Sequence, residues 1–269
     1  MTFFQSIVLG AVQGLTEFIP VSSSGHLIIF PELFGWEDAG LAFDTTLHLG
    51  TLTALLVFFR KDILGMANAL FKDLKGYGIR YKKFSRDSKF VFWLIVATVP
   101  AGLTGLFLDS FFENTFRSSL SVAVFLIAGS ILMFYANKRF SQNDSLPGFT
   151  QVLKVGLFQC LALFPGFSRS GATISGGLIA GLGRQQAAKV SFLLSIPIIA
   201  AAGLLQLPEA LGGNFVVGTD ILLAGFISSA FFGYIAVSAL MKFLSRYGLN
   251  VFVIYRSVLA LFLILLNFL

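Results

Sequence analysis

The chain has 269 residues, of which 56% are hydrophobic and only 12% charged, and its mean hydropathy is +0.86. A soluble domain carries about a quarter charged residues, so the composition excludes an ordinary water-soluble protein and points to an integral membrane protein. The formal net charge of +6 is no sign of nucleic-acid binding, because the basic residues gather where membrane topology would put them.

Along the chain, no basic leader or small-residue cleavage site precedes Ser22, so the start is expected to be mature protein. Six apolar windows match the ~20 residues needed to cross a bilayer: 41–59, 90–108, 118–137, 186–206, 220–241 and 250–269. Two further segments, 1–40 and 150–184, do not. Each holds two shorter apolar runs broken by a polar cluster, VSSSGHL (21–27) in the first and GFSRSG (166–171) in the second. A break of that kind fits a helix, a loop tip and a second helix that returns to the side it came from. The expected fold is an all-α integral membrane protein with six transmembrane helices plus two re-entrant helical hairpins.

Residues 60–89 contain nine of the 19 Lys and Arg and read as a cytoplasmic basic loop. Threading the spans from that loop puts sixteen of the 19 on the same side, and leaves Arg117 with Glu32, Glu37, Asp38, Asp109, Glu113, Glu209 and Asp220 on the other. The first broken segment then enters from outside and the second from inside, so their tips would meet near mid-membrane. Internal repetition supports that arrangement. GAVQGLTEFIPVSSSG (10–25) against GLFQCLALFPGFSRSG (156–171) matches at seven of 16 positions without gaps, where shared composition would give about one or two. Two inverted-topology repeats follow, about 1–137 and 150–269, with a site at their interface.

Where each tip turns into its second helix, unpaired backbone N–H groups and the positive helix end suit an anion such as phosphate. Ser22, Ser24, Gly25, Ser168, Ser170, Gly171 and Thr173 are the candidate binding positions. The repeats also differ: Ser23 is replaced by Arg169, Glu17 by Leu163 and His26 by Ala172. One tip thus holds an acid, a base and hydroxyls, and the other a fixed cation. An arginine at membrane depth calls for an anionic partner, either phosphate, bound in bidentate fashion, or Glu17. Gln13 and Glu17 lie four apart on one helix face; there the carboxylate would serve as general base, orient His26 or hold a divalent cation. His48 and Asp44, also four apart, either line the cavity or bond each other. Arg256, in the last span, is expected to find a carboxylate or backbone carbonyls. Ala200-Ala-Ala-Gly203 reads as close helix packing, and Cys160, the single cysteine, as a packed thiol without a disulfide.

Gln13-x-x-x-Glu17 followed by Pro20-Val-Ser-Ser-Ser-Gly-His26, together with Pro165-Gly-Phe-Ser-Arg-Ser-Gly-Ala-Thr173, closely resembles the bacterial undecaprenyl-pyrophosphate phosphatases of the bacitracin-resistance type. The resemblance covers essentially the whole chain, including the basic loop and Phe192-Leu-Leu-Ser-Ile-Pro197. It implies an enzyme of the bacterial cytoplasmic membrane that converts undecaprenyl pyrophosphate to undecaprenyl phosphate and orthophosphate. It also implies functional roles for Glu17, Ser23, His26, Ser168, Arg169 and Thr173, and a divalent cation, Mg or Ca, held by Glu17 and Gln13. One position departs from the pattern, since the first acidic site of the family is often Glu and here is Gln13. The implied partners are the polyprenyl pyrophosphate lipid and the surrounding membrane lipids, with a homodimer left open. Two chemistries use the same residues: Ser23 attacks phosphorus with help from His26 and Glu17, or His26 attacks directly. A lipid-phosphate transporter is the alternative of a different class, because inverted repeats with broken helices also build transporters.

Overall fold

The computed structural model describes residues 1–37, 40–116, 118–139, 146–212 and 218–267, without the side chains of residues 41, 109, 110, 113, 114 and 207–212. Of the charges assigned to the face opposite the basic loop, Asp38 and Arg117 lie outside the described residues, as do the side chains of Asp109, Glu113 and Glu209.

Eleven α-helices and two 3-10 turns make up the described structure. In chain order they are α1 (Phe3–Phe18), α2 (Ser23–Phe34), α3 (Leu41–Phe58), α4 (Arg60–Tyr77), α5 (Arg86–Phe116), α6 (Ser119–Lys138), α7 (Phe149–Gln159), α8 (Arg169–Ile179), α9 (Arg184–Gly212), α10 (Thr219–Leu244) and α11 (Asn250–Leu266). Four stretches are long and apolar enough to cross a bilayer: Arg86–Leu108, Ser119–Lys138, Arg184–Gln206 and Thr219–Leu244. The protein is thus a multi-pass membrane protein. Helices also occupy the two other expected spans, α3 and the 17-residue α11.

The basic segment 60–89, expected as a loop, is largely helical. Helix α4 turns off α3 by 72°, and a short 3-10 turn at Tyr81–Lys83 leads into α5. Counting charges hid its periodicity: Ile63, Met66 and Leu70 recur at helical spacing and turn partly inward, while Lys61, Leu64, Phe71, Lys72 and Lys75 stay exposed. Asp73 on α4 anchors the start of α5. Its carboxylate accepts from the Ser85 amide and hydroxyl at 2.7 Å each and from the Ser88 hydroxyl at 2.5 Å.

Small residues set the packing of α1. A Cβ at Gly14 would come within 2.6 Å of the Ser229 carbonyl, and one at Gly10 within 2.6 Å of the Gly225 carbonyl. Bare backbone at these two positions lets α10 lie directly against α1. Ser228 Oγ then donates to the Ile7 carbonyl at 2.7 Å and Ser229 Oγ to the Leu47 carbonyl of α3 at 2.7 Å. The run 200–203 packs at Gly203, whose Cβ position lies 2.9 Å from Leu49 Cδ2, while Ala201 and Ala202 are exposed.

Helices α1, α2, α7 and α8 are 16, 12, 11 and 11 residues long. At about 1.5 Å per residue they run from about 16 to about 24 Å, short of the ~30 Å of a hydrocarbon core. The two breaks between them, at residues 19–22 and 160–168, meet inside the protein. Helix α6 forms the wall behind both: Gly25 abuts Val122, Gly171 abuts Met133, and Gly166, at φ +94°, lies against the Val122 backbone, where a Cβ would stand 2.5 Å from the Val122 carbonyl.

Arg256 of α11 joins the breaks. It is fully buried, and its partners are backbone carbonyls and a hydroxyl, not a carboxylate. Nη1 donates to Pro20 of the first break at 3.4 Å. Nη2 lies 3.1 Å from the Gly166 and 3.0 Å from the Phe167 carbonyl of the second, and 3.1 Å from that of Leu126 on α6. Nε donates to Ser130 Oγ at 3.2 Å. Gly129 makes room for the guanidinium, since a Cβ there would collide with Nη2.

Replacing Arg256 by Met leaves buried carbonyls of both breaks without a donor, at about 1–3 kcal/mol each. The expected outcome is a drop of several degrees in the thermal midpoint of the detergent-purified protein; an unchanged midpoint would show that the breaks hold without the clamp. At Asp73 the Ser88 hydroxyl, followed by the Ser85 hydroxyl and amide, holds the carboxyl below the usual carboxylate range. A depressed folded value contributes stability above about pH 4 that is lost as pH falls through that value. Trp93, whose Nε1 donates to Tyr81 Oη at 2.8 Å, reports on this elbow. Its fluorescence in a Trp36→Phe background is expected to show an acid transition below about pH 4 that Asp73→Asn removes.

Candidate active site

Each break enters its second helix through the same unusual residue. Ser22 (φ 77°, ψ 96°) and Ser168 (φ 76°, ψ 116°) are the only non-glycine residues with positive φ among the described ones. An L-residue held there costs of order 1–3 kcal/mol and persists only where its surroundings over-determine it. The compensation is visible at both tips. Ser22 Oγ accepts from the Gly25 amide at 3.3 Å and Ser168 Oγ from the Gly171 amide at 3.2 Å, so each serine caps the helix it starts. A second hydroxyl sits beside each cap, Ser24 Oγ 3.3 Å from Ser22 Oγ and Ser170 Oγ 3.3 Å from Ser168 Oγ. The tips also bond one another: the Gly166 amide donates to Ser24 Oγ at 3.5 Å and Ser170 Oγ to the Ile19 carbonyl at 3.4 Å.

Glu17, in the last turn of α1, is the hub of the side-chain cluster. Arg169 Nη2 forms a close ion pair with Oε1, so the pairing of arginine with acid forms across the two tips. Oε2 accepts from Ser23 Oγ at 2.5 Å and from Gln13 Nε2 at 3.1 Å. The Gln13 amide nitrogen also lies 3.0 Å from His48 Nδ1, and His48 Nδ1 stands 3.8 Å from Glu17 Oε1. A carboxylate accepts and an amide nitrogen only donates, so His48 Nδ1 is the acceptor of that contact. His48 therefore belongs to the Glu17 cluster, facing Gln13 and Glu17.

His26 sits apart from this cluster. Its Nδ1 lies 2.7 Å from the Ser22 carbonyl and its Nε2 2.7 Å from Tyr255 Oη. The hydroxyl of Ser23 is held by Glu17, not by the imidazole, so the expected help of His26 in activating Ser23 has no direct contact behind it. Tyr255 was not singled out by the sequence. Its neighbour Arg256 drew attention as a cation in an apolar span, whereas a tyrosine there is unremarkable. Thr173 Oγ1 donates to the Arg169 carbonyl at 2.7 Å and meets Ser191 Oγ of α9 at 2.6 Å, so this fully buried hydroxyl is committed to the second tip's own helix and its neighbour.

Glu17, Ser22, His26, Ser168 and Ser170 are buried. Ser24 is exposed, Ser23 half-buried, and the Arg169 and His48 side chains retain 15% and 41% of their surface. Ser23, Ser24, Arg169 and His48 are thus the members of the cluster and its tips that keep exposed surface. For a divalent cation the donors are few but suitable. Among the described residues no group of three or more His, Cys, Asp and Glu could hold a metal ion, yet Gln13 Oε1 is buried with no hydrogen-bond partner, next to the Glu17 carboxylate. One carboxylate and one carbonyl are a fitting protein share for a hard cation that keeps waters and binds phosphate oxygens.

Among protein families, residues 6–262 match the one described as bacitracin resistance protein BacA. Proteins named undecaprenyl-diphosphatase are similar over nearly their full length. That of Rubrobacter xylanophilus is 45% identical over 97% of this chain and 96% of its own. Those of Hahella chejuensis and Methanosphaera stadtmanae are 43% and 41% identical, over 96% and 99% of both chains. With the match running through both tips and all eleven helices, the chain belongs to the BacA family of bacitracin resistance proteins.

Proposed function

We propose that this protein removes the terminal phosphate of undecaprenyl pyrophosphate, giving undecaprenyl phosphate and orthophosphate, and so supplies and recycles the carrier lipid of cell-wall synthesis in the bacterial cytoplasmic membrane. The names of the relatives support the substrate. The single observation that carries the chemistry is Ser23 Oγ lying 2.5 Å from Glu17 Oε2 while Arg169 from the other tip neutralises the same carboxylate. A hydroxyl bonded to a carboxylate is a nucleophile with its base in place. A transporter needs anion donors but no such pair, which disfavours the lipid-phosphate transporter.

The mechanism follows from what Arg169 can exchange. Pyrophosphate entering between the tips offers Arg169 a more highly charged partner than Glu17, and a guanidinium grips phosphate through two parallel hydrogen bonds. The hydroxyls of Ser24 and Ser168 and the amides at the starts of α2 and α8 add donors. Once Arg169 has moved, Glu17 still accepts the Ser23 hydrogen bond through Oε2 and is placed to take that proton. Ser23 Oγ attacks the terminal phosphorus, its proton passes to Glu17, and the bridging oxygen leaves with undecaprenyl phosphate as Arg169 and the tip amides neutralise the charge. Water then displaces Ser23 to release orthophosphate. Glu17 and Gln13 are the residues to hold a Mg or Ca ion, which when bound neutralises phosphate charge.

In the membrane this reading assigns α3, α5, α6, α9, α10 and α11 to six crossings, and α1–α2 and α7–α8 to two re-entrant hairpins in inverted halves of about 1–137 and 150–269. The serine geometry shared by the two tips supports the repeat. The prenyl tail remains among the lipids while the pyrophosphate reaches the tips.

Detergent-purified protein is expected to release orthophosphate from undecaprenyl pyrophosphate. Ser23→Ala should lower kcat by more than about 10³-fold and Arg169→Ala by about 10²–10³-fold, with folding checked by thermal midpoint. Full activity in Ser23→Ala would move the nucleophile elsewhere, and an inactive but folded wild type would remove the phosphatase reading. EDTA should abolish release and Mg restore it. Gln13→Glu adds a carboxylate and is expected to lower the Mg concentration for half-maximal activity several-fold, whereas an unchanged Mg dependence would take position 13 out of the cation site.

A further inference from the structure

His26 is gripped at both ring nitrogens, and the chemistry of its partners fixes the positions of its protons. The Ser22 carbonyl, 2.7 Å from Nδ1, can only accept, so Nδ1 carries a hydrogen. In the neutral ring Nε2 then holds the lone pair, and Tyr255 Oη, 2.7 Å away, donates into it. The two rings lie parallel within 8°, with centroids 5.8 Å apart. His26 is 4% exposed and Tyr255 46%, so the phenol is the outer wall of the imidazole.

Backbone geometry ties this contact to the rest of the site. Tyr255 precedes Arg256, whose guanidinium is locked onto carbonyls of both breaks. The clamp sets the rotation and height of α11, and therefore where the phenol meets His26. The carbonyl that fixes Nδ1 belongs to Ser22, the residue at positive φ. Ring orientation, tautomer and tip backbone are thus one connected arrangement, and Ser23 takes no part in it because its hydroxyl bonds Glu17.

We infer that Tyr255 is a positioning residue for the phosphatase reaction: its hydroxyl holds His26 in the Nδ1–H tautomer with Nε2 aimed at the exposed side, and occupies Nε2 until a substrate phosphate takes its place. This rests on the phosphatase reading. His26 then presents a directed lone pair or, once protonated, a directed donor to the incoming phosphate without a search among ring orientations. Tyr255 acts through His26 and makes no bond to phosphorus.

Tyr255→Phe removes the hydroxyl and keeps the ring. Two readouts are needed, kinetics and the ¹⁵N spectrum of selectively labelled histidine, which is tractable because the chain has only two, His26 and His48; His48→Gln assigns them. In the wild type His26 is expected to show a protonated Nδ1 and an Nε2 that accepts a hydrogen bond. In Tyr255→Phe the Nε2 resonance should move toward a free imine nitrogen, and kcat should fall about tenfold, the equivalent of one lost hydrogen bond, with KM within about twofold. An unshifted Nε2 resonance, or a shifted one with wild-type kcat, overturns the inference. Tyr255→Leu, which also removes the ring, should show the same Nε2 shift and a kcat at or below that of the Phe variant. The spectrum judges the tautomer even if the wild type releases no orthophosphate, so failure of the phosphatase reading is seen separately.

Discussion

The arrangement of the two tips depends on one buried guanidinium. Non-helical backbone at membrane depth is tolerated only where protein satisfies its polar groups, and each break frees carbonyls that helix geometry would have paired. Arg256 answers both breaks from one point. Its donors form a fixed planar fork, so they reach Pro20 on one side and Gly166 and Phe167 on the other while Nε rests on Ser130. A lysine, a point charge on a flexible stem, could not span that set. The positive charge is solvated by carbonyl dipoles and keeps no carboxylate partner among its contacts, so its field remains available to an anion between the tips.

That arrangement explains how the site holds its charges in waiting. Glu17 carries one negative charge and Arg169 one positive charge, and without substrate they cancel across the tips. Ser23 and Gln13 complete the carboxylate's hydrogen bonds, so neither charge of this pair is left without a partner in a low-dielectric setting, where that would be costly. The pairing is reversible because its partners belong to different hairpins. On the proposed mechanism a pyrophosphate bearing several charges draws the arginine away from one carboxylate, so that recognition of the substrate and release of the base are a single event.

Much of this was legible in the sequence because the deviant residues were polar and the background was not. VSSSGHL and GFSRSG interrupt apolar runs, and their shared offset of 146 aligns Ser22 with Ser168, the two residues that share a positive φ. The unread parts have physical reasons. The helix α4 lay inside a segment dominated by charge, where a three-to-four-residue apolar repeat is easily overlooked. The partners of Arg256 are main-chain carbonyls, which every residue carries and no sequence pattern marks. Tyr255 could be found only through space, since 229 positions separate it from His26. The hydroxyl of Thr173 is bonded to its own helix and the next, through the Arg169 carbonyl and Ser191, contacts that no sequence pattern marks.

The split between matched and unmatched positions of the two segments carries the last step. Positions that agree build backbone: Ser22 and Ser168 cap, Ser24 and Ser170 flank the caps, Gly25 and Gly171 lie on α6. Positions that differ carry the groups that the proposed mechanism uses: Glu17 against Leu163, Ser23 against Arg169, His26 against Ala172. A tip that must present amides to an anion is constrained by geometry, and the same solution serves twice. Chemistry imposes the reverse demand, because two identical tips would set acid against acid and arginine against arginine, and like charges at close range repel. Only unlike tips can pair Arg169 with Glu17, so the asymmetry of the motifs is what allows the cluster to exist without substrate.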